Sequence, residues 1–282
     1  MTATLMNGSE LAARVRARVA EDVRELGRVS LATVLVGDDP ASHVYVGYKH
    51  KDCAEVGIES IDHRLPADAS EEQVLALLRE LNVDDRIDGF IVQSPLPDQI
   101  NEPRVMEAID PIKDVDGFSP VNVGRLWLGR EGHISATPLG IMEILREYEV
   151  KLEGADAVIV GRSEIVGKPM AALLLRANAT VTFCHTRTRD LAERTRRADL
   201  LVVAAGRAGL IQPEMVKPGA TVVDVGITRT PAGLVGDVDK GVVEVAGLLT
   251  PVPGGVGPMT RAMLLANTVR AARARRGLLA FD

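Results

Sequence analysis

The chain has 282 residues, of which 46% are apolar and 26% charged, and it carries a net charge of -6. These values suit one large or two ordinary globular domains with a full core, and the acidic balance argues against a nucleic-acid binder. No apolar run reaches the ~18 residues a bilayer span needs, and no basic region followed by an apolar core opens the chain, so neither a membrane segment nor a signal peptide is expected.

In chain order, a helix is expected from Ser9 to about Leu26, because Leu11, Val15, Val19 and Val23 recur every four residues and Gly27 ends the run. Ser30 to Val36 reads as a buried strand. Asp39 suits a helix cap and Pro40 the first helical position, and this helix stops near Gly57. On it Tyr45 and Lys49 are four apart and share a face. A second strand fits Ser60 to Leu65. Ser70 and Gln73 form a capping box for a helix to about Leu81. Asp88 to Gln93 is a third strand, entering the loop Ser94-Pro-Leu-Pro97. A short helix near Glu102 to Ile109 leads to Lys113-Asp-Val-Asp116-Gly117. Thr137-Pro138 caps a further helix through about Tyr148, which joins this α/β series to a second one.

The second series has strands at Ala155–Val160, Thr180–Cys184, Leu200–Ala204 and Thr221–Val225, then a glycine-rich loop at Gly254-Gly255 and a last helix opened by Pro258. The basic run Arg270 to Arg276 reads as a solvated helix end favoured by the macrodipole. Gly161-Arg162-Ser163 follows the first of these strands and Gly167 starts a helix, so backbone N–H groups there suit a phosphate. The spacing departs from G-x-G-x-x-G, and it is not a P-loop, because Lys168 precedes proline. An NAD site usually ends its second strand with a carboxylate. Here the residues are Cys184-His-Thr186-Arg187-Thr188, hydroxyls and a guanidinium that suit a 2′-phosphate, so NADP is expected over NAD. Gly206 and the Gly226-Ile227 pair follow the third and fourth strands, where glycine lets a flat cofactor approach the backbone. Gly236-Asp-Val-Asp239 lies in the same half. Cys53 and Cys184 form no pair motif and the five histidines no ligand spacing, so no catalytic metal is expected and a reducing cytoplasm fits.

Five blocks, in order, resemble the bifunctional methylenetetrahydrofolate dehydrogenase/methenyltetrahydrofolate cyclohydrolase family. They are Val36-Gly-x-Asp-Pro-Ala-Ser42 with Tyr45-Val-x-x-Lys49; Val92-Gln-Ser-Pro-Leu-Pro97; Lys113-Asp-Val-Asp-Gly-Phe118 with Asn122-Val-Gly-Arg-Leu126; Gly161-Arg-Ser-x-Ile-Val-Gly-Lys-Pro169; and Thr250-Pro-Val-Pro-Gly-Gly-Val-Gly-Pro-Met-Thr260. The resemblance implies two α/β domains: a catalytic folate-binding domain over residues 1–138, completed by a C-terminal helix at 258–282, and a Rossmann-like NADP domain over 139–257. It implies a small-molecule folate substrate and a homodimer. It matches Lys49 to the catalytic lysine, Tyr45 to a tyrosine stacked on folate, Gln93 to the partner of the lysine, and Asp116 to the residue holding the pterin. Gly254, Gly255 and Pro258 match the loop lining the folate site; Arg162, Ser163 and Thr186 match NADP contacts. Ala136 stands where the family commonly has Cys, and Thr186 where it commonly has Ser.

The implied chemistry has two steps: NADP-dependent oxidation of 5,10-methylenetetrahydrofolate to the methenyl cation, then hydrolysis to 10-formyltetrahydrofolate. The second needs a proton taken from water, which Lys49 can do if burial or a neighbouring cation lowers its pKa. Three alternatives stay open: an NADP dehydrogenase lacking cyclohydrolase activity, an NADP dehydrogenase of a small hydroxy or amino acid, and a non-enzymatic NADP sensor; the bland reading of Tyr45 and Lys49 is a surface lysine next to a half-buried tyrosine.

Overall fold

The computed structural model describes residues 2–38, 40–231 and 233–281; for residues 40–45 it describes the backbone alone. Asp39 as a cap therefore lies outside the described residues, as does the Tyr45 side chain. The chain divides into two compact units. One joins Ala13–Ala136 to the segment from Arg261 onward; the other joins the segment up to Ala12 to Thr137–Thr260.

The first unit is built on a three-stranded parallel sheet, with Ser30–Val36 between Glu59–Leu65 and Gly89–Val92. Every residue of Ser30–Val36 is buried, as a central strand covered on both faces requires, whereas Glu59–Leu65 at the edge has only half-buried and exposed residues. In the Gly8–Leu26 helix the stripe Leu11, Val15, Val19 and Val23 is buried. The capping box forms: Ser70 Oγ accepts the Gln73 N–H at 3.3 Å and Gln73 Oε1 accepts the Ser70 N–H at 2.7 Å. From that helix, Glu71–Val83, the side chains of Val74, Leu75, Leu78 and Leu81 pack with Val34, Phe90 and Val92 of the sheet.

Pro120–Trp127 is a helix where the sequence reading assigned no element, started by Ser119, whose Oγ accepts the Asn122 N–H, with proline in the first turn. The basic run near the C-terminus is corrected from a solvated helix end. Arg275 donates to the Ile87 carbonyl at 2.7 Å and to buried Asp88 at 3.2 Å, Arg273 pairs with Asp22 at 2.7 Å, and Arg276 donates to the Leu26 carbonyl at 2.7 Å. These arginines fasten the last helix to the strand and helix ends beneath it.

The second unit carries a six-stranded, wholly parallel sheet. Its order is Thr180–Cys184, Asp156–Val160, Leu200–Val203, Thr221–Asp224, Leu248–Leu249 and, at the edge, the N-terminal Thr4–Leu5. The chain leaves Asp156–Val160 toward one side and then returns to the other, which makes the carboxyl end of that strand the switch point of a doubly wound sheet. The joining helix spans Ala136–Glu147, so Thr137 lies inside its first turn and does not cap it; its hydroxyl sits 2.9 Å from that of Thr260. The last helix, Val256–Arg275, starts two residues before Pro258. Among the described residues, no helix is long and apolar enough to cross a membrane.

Candidate active site

In the first unit, Lys49 comes from the Pro40–Val56 helix, Gln93 from the residue after the Gly89–Val92 strand, and Asp116 from the turn beyond Lys113. Lys49 Nζ donates to Gln93 Oε1 at 3.1 Å. The Gln93 amide is fixed from its other end, where Nε2 donates to the Ser94 carbonyl at 2.7 Å, just before the cis Ser94–Pro95 bond. A glutamine bonded on both sides offers the lysine a neutral acceptor, which holds the amine in place without favouring its protonated form as a carboxylate would.

Burial pushes the Lys49 pKa below the ordinary lysine value, against the raising pull of the Asp116 charge. Burial also lifts Asp116 to about 6; Lys49 pulls it down and Asp114 adds to the rise. The two groups therefore approach each other in pKa, a pattern found where proton chemistry is carried out.

The Lys113-Asp-Val-Asp116 block divides into a frame and one free carboxylate. Lys113 Nζ donates to the Leu81 and Asp84 carbonyls at 2.7 and 2.8 Å. Asp114 accepts from the N–H groups of Gly117, Phe118 and Ser119 and from Asn122 Nδ2, all between 2.8 and 3.2 Å. Val115 is buried, and its carbonyl accepts from Asn267 Nδ2 at 2.7 Å. Asp116 alone is left half-buried and bound to none of these. Cys53, one helical turn from Lys49, is a group the sequence reading passed over: burial pushes its thiol up to about 12, so it stays protonated beside the lysine.

The second unit sets its candidates along one sheet edge. Val160 pairs with Cys184 on one side and Val203 on the other, and Val203 pairs with Asp224, so the turns after these four strands stand side by side. Those turns carry Gly161, Arg162 and Ser163; Thr186 and Arg187; Gly206; and Ile227. Gly161 has φ +133° and a Cβ there would collide with the Ala204 carbonyl oxygen; a Cβ on Gly167 would meet the Gly161 backbone. Ser163 Oγ accepts the Val166 and Gly167 N–H groups at 3.2 and 3.4 Å, closing the turn that starts the Gly167–Arg176 helix. After the second strand, Thr188 Oγ1 accepts the His185 N–H at 2.8 Å, and His185 Nδ1 accepts the Arg187 N–H at 3.2 Å. This tight turn leaves Thr186 and Arg187 exposed, as Arg162 is on the neighbouring turn. Gly206, at φ +66°, would project a Cβ into open space, and Ile227 is 53% exposed. The edge thus has two close-packed glycines, exposed guanidinium and hydroxyl groups, and no carboxylate after Cys184, which fits a dinucleotide carrying an extra phosphate.

Gly226 departs from its expected reason. A Cβ there would collide with the Asp237 carboxyl group, so an internal carboxylate, not a cofactor, requires the glycine. In the glycine-rich loop of this unit, Gly254 has φ +106° and follows the cis Val252–Pro253 bond. Gly255 is buried, its N–H donating to the Pro251 carbonyl at 2.8 Å, and Pro258 is half-buried in the first turn of the last helix.

Comparison with known proteins gives the chain a family. The family model for the tetrahydrofolate dehydrogenase/cyclohydrolase catalytic domain matches residues 6–116, and that for the NAD(P)-binding domain matches residues 135–276. The chain is 56% identical over 279 residues to bifunctional protein FolD 1 of Rubrobacter xylanophilus, covering 97% of this chain and 98% of that protein. Among solved structures it is similar to the bifunctional enzyme FolD of Campylobacter jejuni, a methylenetetrahydrofolate dehydrogenase/cyclohydrolase, with TM-score 0.95 and 50% identity over 96% of this chain and 99% of that one. It is also similar to the Trypanosoma brucei dehydrogenase-cyclohydrolase solved with NADP and an inhibitor, with TM-score 0.92 and 36% identity over 99% and 100% of the two chains. On these matches, which run nearly the whole length, the chain belongs to the tetrahydrofolate dehydrogenase/cyclohydrolase family.

Proposed function

We infer that this chain is a bifunctional folate enzyme that oxidises 5,10-methylenetetrahydrofolate with NADP and hydrolyses the methenyl product to 10-formyltetrahydrofolate. One observation carries the assignment of roles: on a chain of this family, Lys49 Nζ is bonded to Gln93 Oε1 at 3.1 Å and depressed in pKa by burial. NADP, when bound, supplies the hydride acceptor. The turn at Gly161 and Ser163 would hold its pyrophosphate, and Arg162, Thr186 and Arg187 its 2′-phosphate, with Gly206 and Ile227 available to its flat part.

In the hydride step the protein aligns substrate, and no side chain moves a proton. Asp116, ionised above about 6, accepts hydrogen bonds from the amino and ring N–H groups of the pterin. Tyr45 stacks on the folate, and Gly254, Gly255 and Pro258 line its site; family resemblance supports these roles. In the hydrolysis step Lys49, partly neutral, takes the proton from the water that adds to the methenyl carbon, while Gln93 keeps the amine aimed; the bond from that carbon to one ring nitrogen then breaks, this nitrogen takes a proton, and the added hydroxyl loses its own to become the formyl oxygen, so that one proton is released overall. The conjugate ammonium then stands beside Asp116, whose charge stabilises it.

We further propose a homodimer in the cytoplasm, on the same resemblance; sedimentation at twice the chain mass tests the dimer. The activity test uses two substrates. Methylenetetrahydrofolate with NADP should give NADPH and formyl folate, and methenyl folate alone should be hydrolysed. NADPH without hydrolysis would leave a dehydrogenase only, and neither product would overturn the assignment.

A further inference from the structure

Gly226 and Gly236 are glycines because two carboxylates occupy the space their side chains would need: a Cβ on Gly226 would collide with Asp237, and one on Gly236 with Asp224. Asp237 is fully buried, and its Oδ2 accepts the N–H groups of Ala205 at 2.6 Å and Gly206 at 2.8 Å. Asp224 in turn accepts from the N–H groups of Gly226, Asp237 and Val238 at 3.1, 2.9 and 3.1 Å. The two turns that follow the third and fourth strands are thus tied to one buried pair.

Successive N–H groups aimed at one point form a nest of the kind that binds phosphate. At Ala205–Gly206 that nest is filled from inside the protein. Its donors are committed to Asp237 and are not offered to a cofactor phosphate, which leaves the open face of Gly206 to a flat ring. Both N–H groups donate to the single oxygen Oδ2, and the buried Oδ1 accepts no hydrogen bond among the described residues, so asparagine can keep both bonds through its carbonyl oxygen whereas alanine loses both.

We propose that Asp237 is a positioning residue of the NADP site: its carboxylate sets the Ala205–Gly206 turn against which the cofactor lies, and Asp224 locks Asp237 and the Gly226–Ile227 turn in the same frame. The proposal rests on the NADP reading given above. It predicts an effect confined to the cofactor, since the hydrolysis of methenyl folate uses no hydride acceptor.

The test compares Asp237→Ala and Asp237→Asn with the parent enzyme. In Asp237→Ala, KM for NADP and direct NADP binding should weaken roughly ten- to hundredfold, the scale of losing hydrogen bonds to a charged group, and Asp237→Asn, which can keep both bonds, should recover most of that loss. Hydrolysis of methenyl folate, assayed without NADP, should keep its parental kcat and KM. If Asp237→Ala does not fold, Asp237→Ser, too short to reach both N–H groups, takes its place. NADP affinity unchanged in the folded alanine or serine variant would overturn the proposal, and so would a parallel fall in both activities, the mark of a merely structural carboxylate. A parent enzyme that reduces no NADP at all would remove the cofactor reading itself.

Discussion

Asp116→Asn should make the protein more stable and less able to bind folate, and the gain in stability should depend on pH. Burial raises the Asp116 carboxyl from 3.8 to about 6, even with Lys49 opposing the rise. Each pKa unit corresponds to about 1.4 kcal/mol, so the ionised form carries a penalty of up to about 3 kcal/mol. Asp116 keeps some solvent contact, and screening leaves about 1–3 kcal/mol. The sign follows from proton counting. Between 3.8 and about 6 the unfolded chain has released this proton and the native protein has not, so native stability falls as pH rises through that window and the full cost is present above it. Asparagine does not titrate. Thermal melts should therefore show the variant about 2–6 °C above the parent at about pH 8, with the difference shrinking toward about pH 4. At the higher pH folate affinity should drop roughly tenfold or more, because a charge-assisted pair is lost. A variant no more stable than the parent at pH near 8, or equally stabilised at both pH values, would refute the raised pKa. Unchanged folate affinity would reassign Asp116 to the turn it sits in.

Arg162→Ala should weaken NADP roughly ten- to hundredfold and NAD far less, measured by KM for each cofactor, since the guanidinium is assigned to the 2′-phosphate; equal losses would remove that role. Gly161→Ala should cost roughly 2–4 kcal/mol in urea unfolding and abolish dehydrogenase activity, because φ +133° is hostile to a side chain and the new Cβ would strike the Ala204 carbonyl; a variant as stable as the parent would contradict the close approach.

What the sequence made legible was local. The stripe of Leu11, Val15, Val19 and Val23, the mostly apolar run of Ser30–Val36 and the Ser70–Gln73 box each state their structure within a few residues. What it hid depends on partners far along the chain. Asp114 and Asp116 look alike in Lys-Asp-Val-Asp, yet one takes four hydrogen bonds and the other has its pKa raised by burial against the pull of Lys49. Nothing near Gly226 announces that Asp237 will fill its side-chain space. The arginines at the chain's end read as solvated because their acceptors, Asp22, Ile87 and Asp88, are more than sixty percent of the chain away in sequence and are brought close only by the fold. The helix Pro120–Trp127 had a local signal, Ser119 before Pro120, which could have been read as a cap and first position.

Lys49→Met, assayed for both activities on one preparation, bears most directly on the assignment of roles. The change keeps the length and apolar stem of the side chain and removes the amine bonded to Gln93. Hydrolysis of methenyl folate should fall by about 10²–10⁴, the range for loss of a positioned acid–base group. NADPH formation should fall much less, so that methenyl folate accumulates and is seen by its absorbance, with circular dichroism unchanged. If the two activities fall together, Lys49 positions substrate and moves no proton; if neither falls, the site is not the one assigned here.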